Sequence, residues 1–183
     1  QDDFINPLKI DKNYRVSATS ANEKMGSVTI DPAGDAVENG TSITATATAV
    51  DGYSFVNWTT GETEVSKDNP YKFELTENTA LTANFKANQY TLSFDLNGGE
   101  SEAIAEITAD YNSDVTKPAD PTRTGYTFAG WSPEFTGKVP AEHTTYVAQW
   151  TINQYTITFD TDGGSEVDPI TQDYASDITA PAV

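Results

Sequence analysis

The sequence contains no cysteine, one histidine and one methionine. The missing cysteines remove a disulfide framework, a zinc knuckle and a thiol nucleophile together. The lone imidazole, His143, has no ligand cluster for a metal and no Gly-x-Ser-x-Gly elbow to serve as a triad base. Basic residues are scarce too: ten Lys/Arg stand against 28 Asp/Glu, a formal net charge of −18. A surface this negative repels phosphate backbones and anionic headgroups, which disfavours nucleic-acid and heparin-like partners. No apolar run approaches the length of a membrane-spanning helix, so this segment is not expected to insert into a bilayer. The chain opens Gln1-Asp2-Asp3, without an initiator Met or an apolar signal core, and is expected to be a mature or excised segment.

Aromatic side chains are plentiful instead: nine Tyr, eight Phe and three Trp. They can fill small cores where Leu and Ile are few, which opposes the disorder that so high a charge would otherwise favour. Thr is abundant, and its branched Cβ suits a pleated, half-exposed surface.

The chain repeats itself. Asn88-Gln89-Tyr90-Thr91-Leu92-Ser93-Phe94-Asp95-Leu96-Asn97-Gly98-Gly99 recurs 65 residues later at 153–164, with eight of the twelve positions identical. Asp110-Tyr111-Asn112-Ser113-Asp114-Val115 returns as Asp173-Tyr174-Ala175-Ser176-Asp177-Ile178. A more divergent copy lies upstream, where Gly52-Tyr53-Ser54-Phe55-Val56-Asn57-Trp58 matches Gly125-Tyr126-Thr127-Phe128-Ala129-Gly130-Trp131. The expected organisation is an N-terminal segment or linker (1–13), a divergent unit (14–87), a complete unit (88–152) and a truncated third unit (153–183). A chain ending inside a unit is expected to be part of a longer repetitive protein.

Within a unit the apolar period is two. Tyr90, Leu92 and Phe94 share a face, as do Tyr155, Ile157 and Phe159, and Ile43, Ala45, Ala47 and Ala49 alternate with threonines. Half-buried strands follow. Asn97-Gly98-Gly99 and Asp162-Gly163-Gly164 supply positive φ and are expected to close tight hairpins. A strand is preferred over a helix around Ile107, because Pro169 precedes the equivalent Ile170; Pro118–Thr122 is expected to be a crossover loop. Trp131 falls one residue out of phase with Tyr126 and Phe128, which a β-bulge at Gly130 would correct. Asn57 stands at that position in the first unit and is expected to share its left-handed backbone. The expected cores are Tyr53, Phe55, Trp58 and Phe85 in the first unit, and Tyr90, Phe94, Tyr126, Phe128, Trp131 and Trp150 in the second.

Tyr-Thr-Leu-Ser-Phe-Asp-Leu-Asn-Gly-Gly at 90–99, Pro-Ala-Asp-Pro-Thr-Arg-Thr-Gly-Tyr-Thr-Phe-Ala-Gly-Trp at 118–131 and the closing Ala148-Gln149-Trp150 resemble the Listeria–Bacteroides repeat, the internalin-type B-repeat. Residues 14–87 resemble its divergent relative. The resemblance implies a mainly β chain of small, tandem β-grasp-like units in an elongated array. It further implies an extracellular or cell-surface setting, with no enzyme activity, catalytic residues, metal or cofactor.

Other chemistry finds little support. Asp160-Thr161-Asp162-Gly163-Gly164 is similar to the start of a calcium loop, but Thr171 stands where an EF-type loop needs its bidentate Glu. No carboxylate pair is singled out for glycoside hydrolysis. Trp58, Trp131 and Trp150 are expected in cores rather than as sugar platforms. His143 sits in a loop expected to be absent from the first unit.

The expected function is that of a non-catalytic stalk or spacer, and an adhesion or protein-interaction module, of a bacterial cell-surface or secreted protein, contacting an unidentified host or bacterial surface protein or glycan. The alternative is a carbohydrate-binding or accessory module of a secreted glycan-active enzyme. Half a repeat cannot bury its apolar face, so 153–183 is expected to pack on the second unit or to self-associate with a neighbouring chain. Extending the chain through a third Gly-Tyr-x-Phe-x-Gly-Trp segment should raise protease resistance and lower self-association measured by sedimentation. A strictly monomeric chain with 153–183 ordered yet touching neither the second unit nor another molecule would defeat this expectation.

Overall fold

A computed structural model describes residues 12–181; most of the expected 1–13 segment, and Ala182 and Val183, lie outside the described residues. The chain forms fourteen strands and, among the described residues, no helix. It divides into two compact units, 1–88 and 89–183.

The first unit contains β1 (Asn13–Ser20), β2 (Gly26–Asp31), β3 (Gly34–Glu38), β4 (Ser42–Ala49), β5 (Tyr53–Thr60), β6 (Thr63–Ser66), β7 (Tyr71–Glu74) and β8 (Thr79–Ala87). Its main sheet has the order β3-β1-β8-β5-β6, and a second sheet, β2-β4-β7, lies over one face. The second unit begins with β9 (Gln89–Asp95), β10 (Ile107–Asp110), β11 (Tyr126–Ser132) and β12 (Thr144–Ile152), arranged β10-β9-β12-β11. In both units the first and last long strands lie parallel, Val16 opposite Thr79 and Leu92 opposite Thr144, with antiparallel neighbours outside them. This is the expected grasp-like arrangement, and 111–125 crosses as irregular chain, as expected for 118–122. Its two prolines and Gly125 account for the irregular path.

The period-two reading holds because each strand has one wet face. Leu92 is buried, and Tyr90 and Phe94 pack beside it. Ile43, Ala45 and Ala47 are buried between the two sheets of the first unit. The bulge is present: the ladder slips between Phe128 and Gly130, and again between Phe55 and Asn57. Gly130 has φ +123°, and the slip carries Trp131 to 7% exposure and Trp58 to 0%. Asn57 corrects the expectation, since positive φ is not found there. It works through its side chain, whose amide donates to Glu64 at 2.6 Å and whose oxygen accepts from Asn84 at 2.9 Å. The bond from Asn57 chiefly holds the exposed Glu64 carboxyl below its ordinary range; Lys67 adds to this and desolvation opposes it.

Two further expectations need correction. Asn97 and Gly98 do adopt positive φ, +47° and +83°, with Gly99 N–H returning to Leu96 O at 2.9 Å. Yet the turn closes no tight hairpin, since β9 and its antiparallel partner β10 are joined by a long connection. The chain moves on to bond Glu100 N–H to Thr122 O at 2.8 Å, and β10 begins only at Ile107. Tyr53 and Tyr126 lie outside the core clusters, whereas Ile43, Leu75, Leu81, Val139 and Tyr146 lie inside them. Burial pushes the Tyr146 phenol above the ordinary tyrosine range.

The equivalent tryptophans differ at one atom. Trp58 Nε1 donates to Asp68 O at 3.1 Å in the β6–β7 connection. The second unit has no such strands, and Trp131 Nε1 is buried without a partner. Trp→Ala at either position should cost about 3–5 kcal/mol. Trp→Phe should separate them: at Trp58 it strands a carbonyl, while at Trp131 it removes an orphan donor, for a difference of about 1 kcal/mol. Native-state hydrogen exchange of β5 and β11 amides measures this, and equal losses would refute the assignment.

Candidate functional site

His143 is exposed, and its Nδ1 accepts the Thr91 N–H at 3.0 Å while its ring meets Tyr90 edge-on at 5.6 Å. The bond needs an unprotonated Nδ1 and fixes the start of β12 beside β9. Asn78 does the same in the first unit, its Oδ1 accepting Arg15 N–H at 2.8 Å at the start of β8. Thr79 and Thr144 each donate to the carbonyl two residues back, Glu77 at 3.1 Å and Glu142 at 3.2 Å. The loop expected to be absent from the first unit is therefore present, with Asn in place of His. His143 is a strand-start acceptor.

The acidic turns are similarly occupied. Asp160 Oδ1 accepts Asp162 N–H at 3.0 Å, as Asp95 Oδ1 accepts Asn97 N–H at 2.8 Å. The first carboxylate of each pair closes the turn on its own backbone. Among the described residues no three His, Asp or Glu side chains are grouped to hold a metal. The tryptophans offer no sugar platform: Trp58 and Trp131 are buried, and Trp150 is half-buried with Nε1 on Leu96 O at 3.1 Å.

The best-built arrangement outside the cores is at the Gly-Tyr motif. After β12 the chain continues as β13 (Gln154–Ile157), which pairs antiparallel with β14 (Ile170–Asp173). Asn153 N–H donates to Gly125 O at 2.9 Å, and Thr127 Oγ1 donates to Asn153 Oδ1 at 2.6 Å. Tyr174, tied to Asn153 O by its N–H at 2.8 Å, lays its ring on Gly125, where an added Cβ would collide with the ring. Its ring also meets Tyr126 at 6.4 Å and Tyr155 at 6.1 Å, while Arg123 covers the Tyr126 ring at 4.0 Å. So Asn153 and Tyr174 touch the second repeat, and Tyr126 belongs to this joint rather than to the core. The first unit holds the same pair of bonds, Asn88 N–H to Gly52 O at 2.9 Å and Ser54 Oγ to Asn88 Oδ1.

The repeated joint, the bulge and the parallel strand pair describe one unit used more than once. Sequence comparison agrees: the Listeria-Bacteroides repeat domain matches 90–152 and 155–183, and the divergent InlB B-repeat domain matches 16–89. The chain belongs to the Listeria–Bacteroides repeat family. It is 35% identical over 143 residues, 72% of its length, to a "Putative membrane protein" of Evansella cellulosilytica, of which it spans 21%. A "Putative Gly-rich membrane protein" of the same organism is 34% identical over 140 residues, 72% of this chain and 16% of that protein. Internalin H of Listeria monocytogenes is 42% identical over 83 residues, 40% of this chain and 14% of that protein. The chain thus spans about a fifth or less of the length of these relatives. No solved structure matches the chain. No helix among the described residues is long and apolar enough to cross a membrane.

Gly125→Ala places a Cβ in the Tyr174 ring and strains a φ of +77°, the latter alone costing about 1–2 kcal/mol. The amides of Asn153 and Tyr174 should then lose hydrogen-exchange protection, while β9 and β12 keep theirs. Gly130→Ala, with a φ of +123° and open space around the new Cβ, should leave Asn153 and Tyr174 protected. Unchanged protection in Gly125→Ala would show that the joint does not hold 153–181.

Proposed function

We propose that this chain is a non-catalytic spacer segment of a bacterial cell-surface or secreted protein, carrying partner-binding regions away from their point of attachment. The observation that supports it most is the recurring joint, in which a Gly carbonyl and a Ser/Thr hydroxyl engage the Asn that follows the last strand of each unit. The same bonds recur at the end of each repeat, each set within its own compact unit, and one fold used in series is what a spacer needs. The family membership and the internalin relative support a surface setting. Charge dispersed along the chain keeps such an array soluble. The repeats are proposed to be 14–87, 88–152 and 153–183, the last two falling within one compact unit.

β13 supports a subsidiary reading. Its second edge is unpaired among the described residues, and Tyr155 and Ile178 nearby are 52% and 56% exposed. In the second unit the equivalent edge of β9 is covered by a parallel strand. An open edge of this kind supports the self-association expected above.

The spacer reading is tested on cells. The parent protein, displayed with a fluorophore at the end distal to the cell, should rise by a constant height for each repeat inserted and fall by the same amount for each removed. Protease shaving of intact cells should release the segment. A height independent of repeat number, or a segment inaccessible from outside, would overturn the proposal.

A further inference from the structure

The first unit has a cleft that the second lacks. It opens between the edge strands of the two sheets, β6 and β7, and encloses about 400 Å³, within the ~300–1,000 Å³ of small recognition sites. Tyr71 and Phe73 line one wall as a stacked pair, centroids 5.0 Å apart, with Val65 and Leu81 also lining the cleft. Val65 is an exposed apolar side chain on a strand edge, at 40%. Glu74 and Glu77 also line the cleft, and both are exposed. Neither carboxylate has an ion-pair partner among the described residues, whereas nearby Glu64 is paired with Lys67 at 3.5 Å. Among the described residues the second unit contains no counterpart of β6, β7 or the sheet β2-β4-β7.

We propose that this cleft binds a lysine or arginine side chain carried on an extended segment of a partner protein. Each component of such a ligand meets a matching feature. The methylene stem lies along Tyr71 and Phe73, whose faces also attract the cation. The charged head reaches Glu74 and Glu77, which sit at the mouth without a counter-ion. The partner's backbone runs beside β6 or β7, whose outer N–H and C=O groups have no strand neighbour among the described residues. A chain of net charge −18 steers basic segments towards itself. A neutral sugar would use the aromatic wall but leave the two carboxylates uncompensated, and the tryptophans that would make a broader platform are packed away. The proposal goes beyond the spacer reading, which its failure would leave untouched.

The test uses the whole chain, labelled with 15N, and short capped peptides of alternating Thr and Val with Lys, Arg, norleucine or Glu at the centre. The Lys and Arg peptides should shift the amides of Thr63, Phe73, Glu74 and Thr79 saturably, and the norleucine and Glu peptides should not. The exposed double substitution Glu74→Gln/Glu77→Gln should weaken binding roughly tenfold without changing the fold, and added salt should weaken it likewise. Tyr71→Phe, which keeps the stack, should retain binding. The proposal is overturned if norleucine binds as well as Lys, if the double variant binds unchanged, or if no peptide moves these amides. Saturable binding of malto- or cello-oligosaccharides at the same amides, with no response to Lys or Arg, would replace the basic peptide by a glycan.

Discussion

Each unit depends on its first and last long strands lying side by side and parallel. A parallel pair cannot be joined by a tight turn, so everything between the two strands must travel out and back. That excursion builds the rest of the fold. It supplies the outer antiparallel strands and lays the cover over the apolar face. It returns the chain to the last strand with Leu81 or Tyr146 pointing inward. The side-chain acceptor at the strand start, Asn78 or His143, secures the pair at the end where the ladder begins.

The excursion differs greatly between the two units while the fixed points hardly change. One uses three strands as a second sheet; the other uses irregular chain with Val115, Phe135 and Val139 turned inward. Leu75 and Val139 nevertheless occupy one position. Gly40 N–H and Asn112 N–H each reach that residue's carbonyl, at 2.7 and 2.9 Å, from a residue with positive φ. Packing volume and a few backbone bonds are conserved where strand content is not. The cost appears at Trp131, whose indole kept its place in the core while its acceptor went with the missing loop.

Alternation, the aromatic cores and the bulge were legible because each is a local consequence of which face a side chain must take. Trp131 had to be moved by one residue, and only a bulge beside Phe128 could do it. The hairpin reading failed for a complementary reason. Asn97-Gly98 specifies a backbone reversal, but a reversal does not say what the chain meets next, and here it meets Thr122. Tyr126 was assigned to the core by face alone, although period two does not distinguish the middle of a sheet from its edge. The kinship of His143 with Asn78 was hidden because the two share only an acceptor atom. Ala175, with φ +57°, carried no sequence signal; it follows a turn set by its relatives Gly40 and Asn112.

The parallel pairing has a mechanical consequence. The chain enters a unit at the start of its first strand and leaves at the end of its last, so tension on the two ends pulls the neighbouring strands along their length in opposite senses. Five facing residue pairs in the first unit and four in the second would be loaded together in shear. An antiparallel pair joined by a hairpin would instead be peeled open one bond at a time. Resistance to forced extension is governed by the unfolding rate rather than by equilibrium stability. A pull along the chain would therefore meet each of these small, acidic units in shear rather than in peeling.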